Sequence, residues 1–395
     1  MQPALEFPSF TRPLVRRIRI AERESALVSD ALLVSLIFLA WRVALILVTY
    51  AGSRFVPLVA NGGPGAVGEG RSFDYWRSWA QWDGGWFIQI ATEGYGPRTQ
   101  AWFPVYPTLI RVLGWVTGDV VVAGLLISNL AFLTFLLVLH RLVKDRSGSG
   151  VAMSSVITVL TFPTAFYGVA MYSESLLLLM AALTLLSLER ERLVAGSLFA
   201  GIAAGTRLVG IATFLPLALF ALRRWDQRPR TAAVYVVAAV ICLAPLAAWC
   251  LFLWERHGDP FYFQTVSSVS WGREPGNPLT TLADFIRHPD DPNSSTPLIP
   301  ALELGLPLLF IAVLALGVRT IPLSWWLYSV AAVVIPLSSG VLFSMPRYVL
   351  ASIGAFVIIA VYVQPRPALK YGVWTAGLVL QAVLAIRFIN GYWVA

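Results

Sequence analysis

The chain has 395 residues, of which 57% are hydrophobic and only 13% are charged, and its formal net charge is +8. Soluble domains carry about 25% charged residues, so this composition excludes an ordinary soluble protein and indicates a polytopic membrane protein. The basic residues lie in short segments between apolar runs, as the positive-inside rule describes for cytoplasmic loops. A nucleic-acid-binding protein would instead present one continuous basic face.

Apolar runs of about 18–25 residues predict transmembrane helices. The arginine-rich N-terminal segment is too long for the start of a cleaved signal peptide, so we expect it in the cytoplasm, followed by a retained first span. The run 194–222 has basic residues at both ends and is interrupted at Arg207, which predicts two short helices that enter the membrane and return. The other predicted spans are 29–50, 120–139, 151–170, 174–188, 231–254, 298–318, 321–337, 347–363 and 371–389.

These segments predict an all-α bundle of about 9–11 transmembrane helices, forming a single integral-membrane domain over residues 1–395. Long loops at 51–101 and 255–297 should lie on the outer face, the first carrying amphipathic helices. A short interfacial or re-entrant helix is expected at 104–115. The same topology puts Asp83, Glu174 and the turn around Arg347 on the outer face.

Asp83 lies in the first loop, within Trp82-Asp83-Gly84-Gly85-Trp86. A carboxylate in this setting could be a general base that takes a proton from an acceptor hydroxyl. An Asp before a helix is also a favoured N-cap, and the sequence leaves both interpretations open. The surrounding tryptophans could stack on sugar rings or form an interfacial aromatic belt.

Two arginines are candidates for binding a phosphate. Arg207 interrupts an apolar run, and an ionisable residue at membrane depth is a functional candidate. Arg347 follows a proline at the outer end of a span, where it could hold phosphate oxygens or reach the interface as a snorkelling side chain. Glu174 could be a helix-start charge favoured by the dipole or a substrate contact. Arg42, inside the first span, is expected to have an ion-pair partner that the sequence does not name.

Motifs for nucleotides and metals are missing from the sequence. It contains no P-loop, no GxGxxG, no HExxH and no CxxC, and its three histidines are scattered. The adjacent Asp290 and Asp291 are interpreted as solvated loop charges. We therefore expect no catalytic metal and no cofactor.

Several motifs in chain order resemble the PIG-V family, the membrane mannosyltransferases that add the second mannose in GPI-anchor assembly and have the glycosyltransferase class C fold. The motifs are Trp82-Asp83-Gly84, Ile90-Ala91-x-x-Gly94-Tyr95, Phe103-Pro104-x-x-Pro107, Tyr172-Ser173-Glu174-Ser175-Leu176, Gly205-Thr206-Arg207-x-x-Gly210 and Met345-Pro346-Arg347-Tyr348-x-Leu350. One departure is Trp86, which stands where the family often has a histidine.

The resemblance implies inverting transfer of mannose from a polyprenyl-phosphate carrier on the non-cytoplasmic face. It implies that Asp83 is the catalytic base and that Arg207 and Arg347 contact the carrier phosphate. The substrate pocket would be lined by Trp82, Trp86, Tyr95, Tyr106, Tyr172, Glu174 and Tyr348.

The composition also suggests which kind of organism the chain comes from and which acceptor it uses. The chain has two lysines, Lys144 and Lys370, against many arginines, which suggests a GC-rich bacterial genome and a bacterial plasma membrane. The acceptor would then be a glycolipid or a cell-envelope glycan. Two other functions stay open from the sequence: a transporter of lipid-linked sugars, because broken helices with a buried arginine also suit transporters, and a non-catalytic subunit of a glycosyltransferase complex.

Overall fold

The computed structural model describes residues 11–59, 73–224, 231–288 and 297–394. Over these residues the chain consists of helices joined by turns and short 3₁₀ segments, without a β-strand, which confirms the all-α prediction. The helices are α1 (Thr11–Gly52), α2 (Asp83–Glu93), α3 (Val105–Thr117), α4 (Val120–Leu160), α5 (Glu174–Glu189), α6 (Leu193–Thr206), α7 (Phe214–Arg224), α8 (Thr231–His257), α9 (Tyr262–Trp271), α10 (Pro278–Arg287), α11 (Leu298–Leu316), α12 (Leu323–Leu337), α13 (Met345–Tyr348), α14 (Ile353–Val363) and α15 (Pro367–Ile389).

Within the described chain, five helices are long and apolar enough to cross a membrane: α1 from Val28, α4, α8, α11 and α15. A sixth span exists if α13, its 3₁₀ extension and α14 are counted together across their 82° bend. The long helices expose large apolar side chains, such as Leu36, Leu47 and Val240, and continuous apolar surfaces of this kind mark a membrane-facing protein. The protein is therefore an integral, multi-pass membrane protein.

The remaining apolar helices are shorter than a full span, so fewer uninterrupted spans are present in the described residues than hydropathy suggests. The predicted span 151–170 shows why. Helix α4 breaks at Gly148 (φ 82°, ψ 165°), within the turn predicted between the spans 120–139 and 151–170, and its second helical part ends at Leu160, ten residues before the predicted end. An irregular segment with a 3₁₀ turn at Ala165–Gly168 then leads into α5. Such backbone is tolerated at membrane depth where protein surrounds it, and Phe166 and Tyr167 are fully buried.

The run 194–222 folds as the sequence predicts, into two short helices with a break between them. Helix α6 ends at Thr206, Arg207 is extended (φ −156°, ψ 152°), and a 3₁₀ turn at Leu208–Thr213 precedes α7. The short helix expected at 104–115 is α3, and the predicted first outer loop carries the short helix α2. Its Gly/Pro-rich part at 61–70, and Asp290 and Asp291, lie outside the described residues.

A continuous apolar core contains buried residues from Val34 on α1 to Val394 near the end of the chain. Arg42 lies at its edge. Its Nε donates to Asn129 Oδ1 at 3.1 Å, and its guanidinium lies 4.6 Å from the centre of the Trp79 ring. The expected ion-pair partner is thus replaced by an amide and an aromatic ring, since no salt bridge of Arg42 occurs among the described side chains.

Candidate active site

Four residues that are distant in the sequence form one ion-pair network. Arg347 Nη1 lies 2.6 Å from Asp83 Oδ2, and Arg347 Nε lies 3.3 Å from Glu174 Oε1. Arg207 Nη1 lies 2.7 Å from the same Glu174 oxygen and donates to Ser173 Oγ at 3.1 Å. The structure therefore brings together the predicted base, both predicted phosphate-binding arginines and Glu174.

Each of these side chains lies where a helix starts or breaks. Asp83 is the first residue of α2, Glu174 is the first residue of α5, Arg207 lies between α6 and its 3₁₀ turn, and Arg347 lies in the short α13. Such helix starts and breaks place polar side chains in the protein interior. An unbroken apolar helix would place apolar side chains there.

Asp83 is held at its position by close contacts of the backbone. Trp82, at the N-cap, has φ 55°, a conformation that non-glycine residues rarely adopt. A Cβ added at Gly84 would lie 3.3 Å from Ala80 Cβ and 3.4 Å from the Met171 carbonyl oxygen, so the start of α2 needs a small residue there. Because Trp82 takes the N-cap position and the Asp83 carboxylate binds Arg347, the capping interpretation of Asp83 does not describe this structure.

Aromatic rings surround the Arg347 guanidinium. Its centre lies 5.5 Å from the Tyr167 ring, 5.3 Å from Tyr172 and 5.1 Å from Tyr348, distances at which a cation is attracted to the ring face. The Tyr172 hydroxyl donates to the Gln81 carbonyl oxygen at 2.9 Å. This hydrogen bond connects the segment before α5 to the segment before Asp83.

Arg273 is a residue of the site that the sequence analysis did not single out. It follows α9 in the predicted second outer loop, and its Nη1 donates to the Tyr348 hydroxyl at 2.6 Å. The guanidinium centre of Arg273 lies 5.1 Å from the centre of the Tyr348 ring, and that of Arg207 lies 5.3 Å from the same ring. The signal available in the sequence was an arginine beside Trp271 in a loop predicted on the same face as Asp83.

The other predicted pocket residues divide into two groups. Trp86 stacks on Trp102 at 4.9 Å, one turn of α2 beyond Asp83, and Trp82 contacts the Trp393 ring at 5.2 Å. Tyr95 and Tyr106 instead belong to the packing around the site. Burial raises the pKa of the Tyr95 phenol, which donates to the Trp102 carbonyl oxygen at 2.9 Å.

Tyr106 is fully buried, and its hydroxyl lies 2.7 Å from Ser128 Oγ. The structure therefore does not bring Tyr95 or Tyr106 into the ion-pair network.

The site has more positive than negative charge. Arg207, Arg273 and Arg347 supply three guanidinium groups, and Asp83 and Glu174 supply two carboxylates, which leaves one net positive charge. The side chains of Arg347 and Glu174 are only 4% and 5% exposed. An unbalanced charge in such surroundings is costly, so this cluster favours an anion. A small cavity beside it is lined by Glu174, Arg207, Val209, Arg347, Tyr348 and the apolar side chains of Leu177, Leu178, Leu350 and Ala351.

A carboxylate-based metal site is not formed in the part of the chain that the structure describes, because no three His, Cys, Asp or Glu side chains come together there.

Comparison with known proteins identifies the family of this chain. Residues 25–255 match the family model for mannosyltransferase (PIG-V). The chain belongs to this family. The matched region includes Asp83, Glu174 and Arg207, whereas Arg273 and Arg347 lie beyond it. The resemblance expected from the sequence motifs is confirmed.

Curated relatives agree with the family. GPI mannosyltransferase 2 from two strains of Cryptococcus neoformans is 31% identical over 156 residues, which cover 36% of this chain and 36% of the relative. The match thus spans about a third of those relatives.

The crystal structure of ArnT from Cupriavidus metallidurans in the apo state superposes with a TM-score of 0.53 at 18% identity, covering 89% of this chain and 63% of that one. The fold is of the glycosyltransferase class C type, as predicted.

Gly210, in the motif that carries Arg207, offers a test of how this arginine is positioned. Its N–H donates to the Arg207 carbonyl oxygen at 2.9 Å, and an added Cβ would lie 2.1 Å from the Ala203 carbonyl oxygen. Gly210→Ala is expected to destabilise the protein by about 1–3 kcal/mol, the usual cost of overpacking, and to displace Arg207. Thermal unfolding in detergent measures the first effect and sugar transfer the second.

Gly305→Ala is the matched control for Gly210→Ala. Gly305 lies in α11 with nothing within 4 Å of the added Cβ, and alanine is favoured over glycine in a helix by about 0.8–1.0 kcal/mol. Equal unfolding temperatures for the two variants would contradict the steric argument.

Proposed function

We propose that this protein transfers mannose from a polyprenyl-phosphate-mannose donor to a hydroxyl of a glycolipid or a cell-envelope glycan. In this proposal the transfer inverts the anomeric centre, needs no metal or cofactor, and takes place on the non-cytoplasmic face of a bacterial plasma membrane. The observation that carries the proposal is the network in which Arg347 joins Asp83 to Glu174 and Arg207.

Asp83 is the proposed general base because of its accessibility and its orientation. Its side chain is 20% exposed, whereas that of Glu174 is 5% exposed, so an acceptor can reach Asp83 more readily. Oδ2 accepts from Arg347, and among the described residues Oδ1 has no hydrogen bond. One oxygen is thus fixed by the protein while the other is positioned to take a proton. Glu174 aligns Arg207 and Arg347 instead of acting on the acceptor.

The proposed step transfers mannose from the carrier phosphate to the acceptor hydroxyl. The acceptor oxygen forms a bond to C1 of mannose, and its proton passes to Asp83. The bond between C1 and the phosphate oxygen breaks, and its electron pair stays on the phosphate. A phosphodiester with one negative charge thereby becomes a phosphomonoester with two, or close to two, near neutral pH. Positive groups placed where this charge develops lower the barrier. Arg207 and Arg347 line the small cavity proposed for the phosphate, which measures about 10 Å³ and must widen to admit the donor.

The composition of the site supports a metal-independent reaction. Phosphate-transferring sites that use a divalent ion hold it with carboxylates, whereas here the two carboxylates are engaged by arginines. Guanidinium groups match phosphate oxygens in charge and geometry. The apolar side chains of Leu177, Leu178 and Leu350 on the same cavity suit the first isoprene unit of the carrier.

Trp86 is the proposed acceptor-side contact, together with Trp82 beside the base, while Tyr172 and Tyr348 complete the proposed pocket around Arg347. It lies three residues after Asp83 on α2, and side chains at this spacing share a helix face. Since the family often has a histidine here, an indole at this position would change which acceptor is used.

A donor comparison tests the proposal. Purified protein in nanodiscs, supplied with a membrane-lipid extract, is incubated with polyprenyl-phosphate-mannose, with the corresponding glucose and arabinose lipids, and with a nucleotide-linked mannose, each radiolabelled. Label is expected in a new glycolipid only from polyprenyl-phosphate-mannose. Label that crosses sealed vesicles without entering a new glycoside would contradict the proposal and favour a transporter; transfer that requires an added partner would favour a subunit role.

A further inference from the structure

The Tyr348 hydroxyl lies between two arginines. Arg273 Nη1 lies 2.6 Å and Arg347 Nη2 lies 3.3 Å from its oxygen. A guanidinium only donates hydrogen bonds, so the phenol oxygen accepts in both contacts. Its own hydrogen therefore requires a different partner.

Nothing in the described part of the chain accepts that hydrogen. Among the described residues the hydroxyl contacts only the two donors, and Tyr348 lines the small cavity with Glu174, Arg207 and Arg347. A polar hydrogen beside three guanidinium groups, at a cavity edge, is suited to a negatively charged oxygen of a ligand.

Arg273 is held firmly enough to maintain this arrangement. Helix α9 ends at Trp271, and its C-cap Gly272, with a positive φ of 63°, closes the last turn. The second nitrogen of Arg273, Nη2, donates to the Phe343 carbonyl oxygen at 3.0 Å. The Gly276 N–H donates to the Ser338 carbonyl oxygen at 2.8 Å, and the Trp271 ring lies 5.1 Å from Trp102. The segment 271–276 thus connects the first outer loop to the turn that carries Arg347.

We propose that Arg273 and Tyr348 form a third contact to the donor phosphate, in which Tyr348 donates its hydrogen to a phosphate oxygen and Arg273 holds and polarises that hydroxyl. This inference rests on the proposed function, since it assigns two further residues to the same donor site. The contact strengthens as the leaving phosphate gains its second negative charge, so it favours the transition state and the product over the bound donor.

The test uses undecaprenyl phosphate, the dianionic product-like lipid, with the full chain in detergent. The unfolding temperature is measured with and without the lipid for wild type, Arg273→Gln and Tyr348→Phe. Both variants are expected to bind the lipid about tenfold more weakly and to show a correspondingly smaller stabilisation by it. In the transfer assay kcat should fall by about tenfold, with a smaller change in the KM for the donor, because the monoanionic donor benefits less.

Arg287→Gln is the matched control. Arg287 is on α10 in the same outer loop, with a side chain 70% exposed and paired with Asp284, so its loss should leave the response to the lipid unchanged. Tyr348→Phe keeps the ring and its packing and removes only the hydroxyl. It therefore tests the same contact if Arg273→Gln folds poorly.

Two results would overturn the inference, and they are distinguishable. If undecaprenyl phosphate stabilises wild type and both variants equally, Arg273 only anchors the loop, and the donor site stands without it. If undecaprenyl phosphate has no effect on wild type, the proposed donor class itself is wrong, and the inference fails with it.

Discussion

Asp83→Asn is expected to lower kcat for mannose transfer by about 10²–10⁴-fold, the usual contribution of a general base. Asparagine has nearly the same shape and keeps an oxygen that can accept from Arg347, which lies 2.6 Å from Asp83 Oδ2. The fold and the binding of polyprenyl phosphate should therefore be preserved. Initial rates with radiolabelled donor measure the first effect, and stabilisation by undecaprenyl phosphate measures the second.

Asp284→Asn is the control for this substitution. Asp284 is on α10, exposed, and paired with Arg287 at 3.3 Å, and exposed ion pairs contribute about 0–1 kcal/mol, so transfer should be unchanged. Activity of Asp83→Asn within about twofold of wild type would contradict the assignment of the base.

Arg347→Gln is expected to have the largest effect on stability. Arg347 is 4% exposed and is bound to both Asp83 and Glu174, so its loss leaves two carboxylates without their shared cation. Removing one partner of a buried charge network costs about 3–5 kcal/mol. Transfer should fall to background, and Arg347→Lys should fold better than Arg347→Gln while still transferring poorly, because an ammonium group lacks the planar fork.

Thermal unfolding measures the loss of stability in Arg347→Gln. A double substitution distinguishes loss of the ion-pair network from nonspecific destabilisation of the fold. Glu174→Gln added to Arg347→Gln should cost less than the sum of the two single changes, because the second change removes a carboxylate that the first left unpaired. Arg141→Gln, at an exposed pair with Asp145 on α4, should change stability little. Simple additivity of the two buried changes would contradict the network.

Much of the fold follows from the sequence because long apolar helices have a clear pattern. The broken pair around Arg207 was also predictable, since basic residues at both ends and an internal arginine are incompatible with one straight span. The break inside α4 was predictable as well, since the polar stretch around Gly148 has the residues of a loop and the backbone leaves helical geometry at Gly148. The end of the second helical part was not, because the apolar run continues to residue 170 whereas the helix ends at Leu160 and an irregular buried segment with Phe166 and Tyr167 follows.

Part of the site was also predictable, because four of its residues lie in sequence motifs. Asp83, Glu174, Arg207 and Arg347 lie in short motifs with recognisable spacing, and the structure joins them in one network. Arg273 has no such motif: a single arginine in a polar loop gives no pattern, and only tertiary packing shows that it contacts Tyr348.

Tyr95 and Tyr106 lie in the same motifs as the site residues but outside the ion-pair network. Their hydroxyls bind the backbone of Trp102 and the Ser128 side chain.

The most direct test of the proposed reaction is a single turnover by wild-type protein in nanodiscs, with polyprenyl-phosphate-mannose, a membrane-lipid extract as the source of acceptor, and a metal chelator. Mass spectrometry identifies the products, and digestion with α- and β-mannosidases gives the anomeric configuration of the new mannoside. We predict equimolar polyprenyl phosphate and a new mannosylated lipid, whose mannose has the opposite anomeric configuration to that of the donor. A product of retained configuration, transfer only after a divalent ion is restored, or no new mannoside would contradict it.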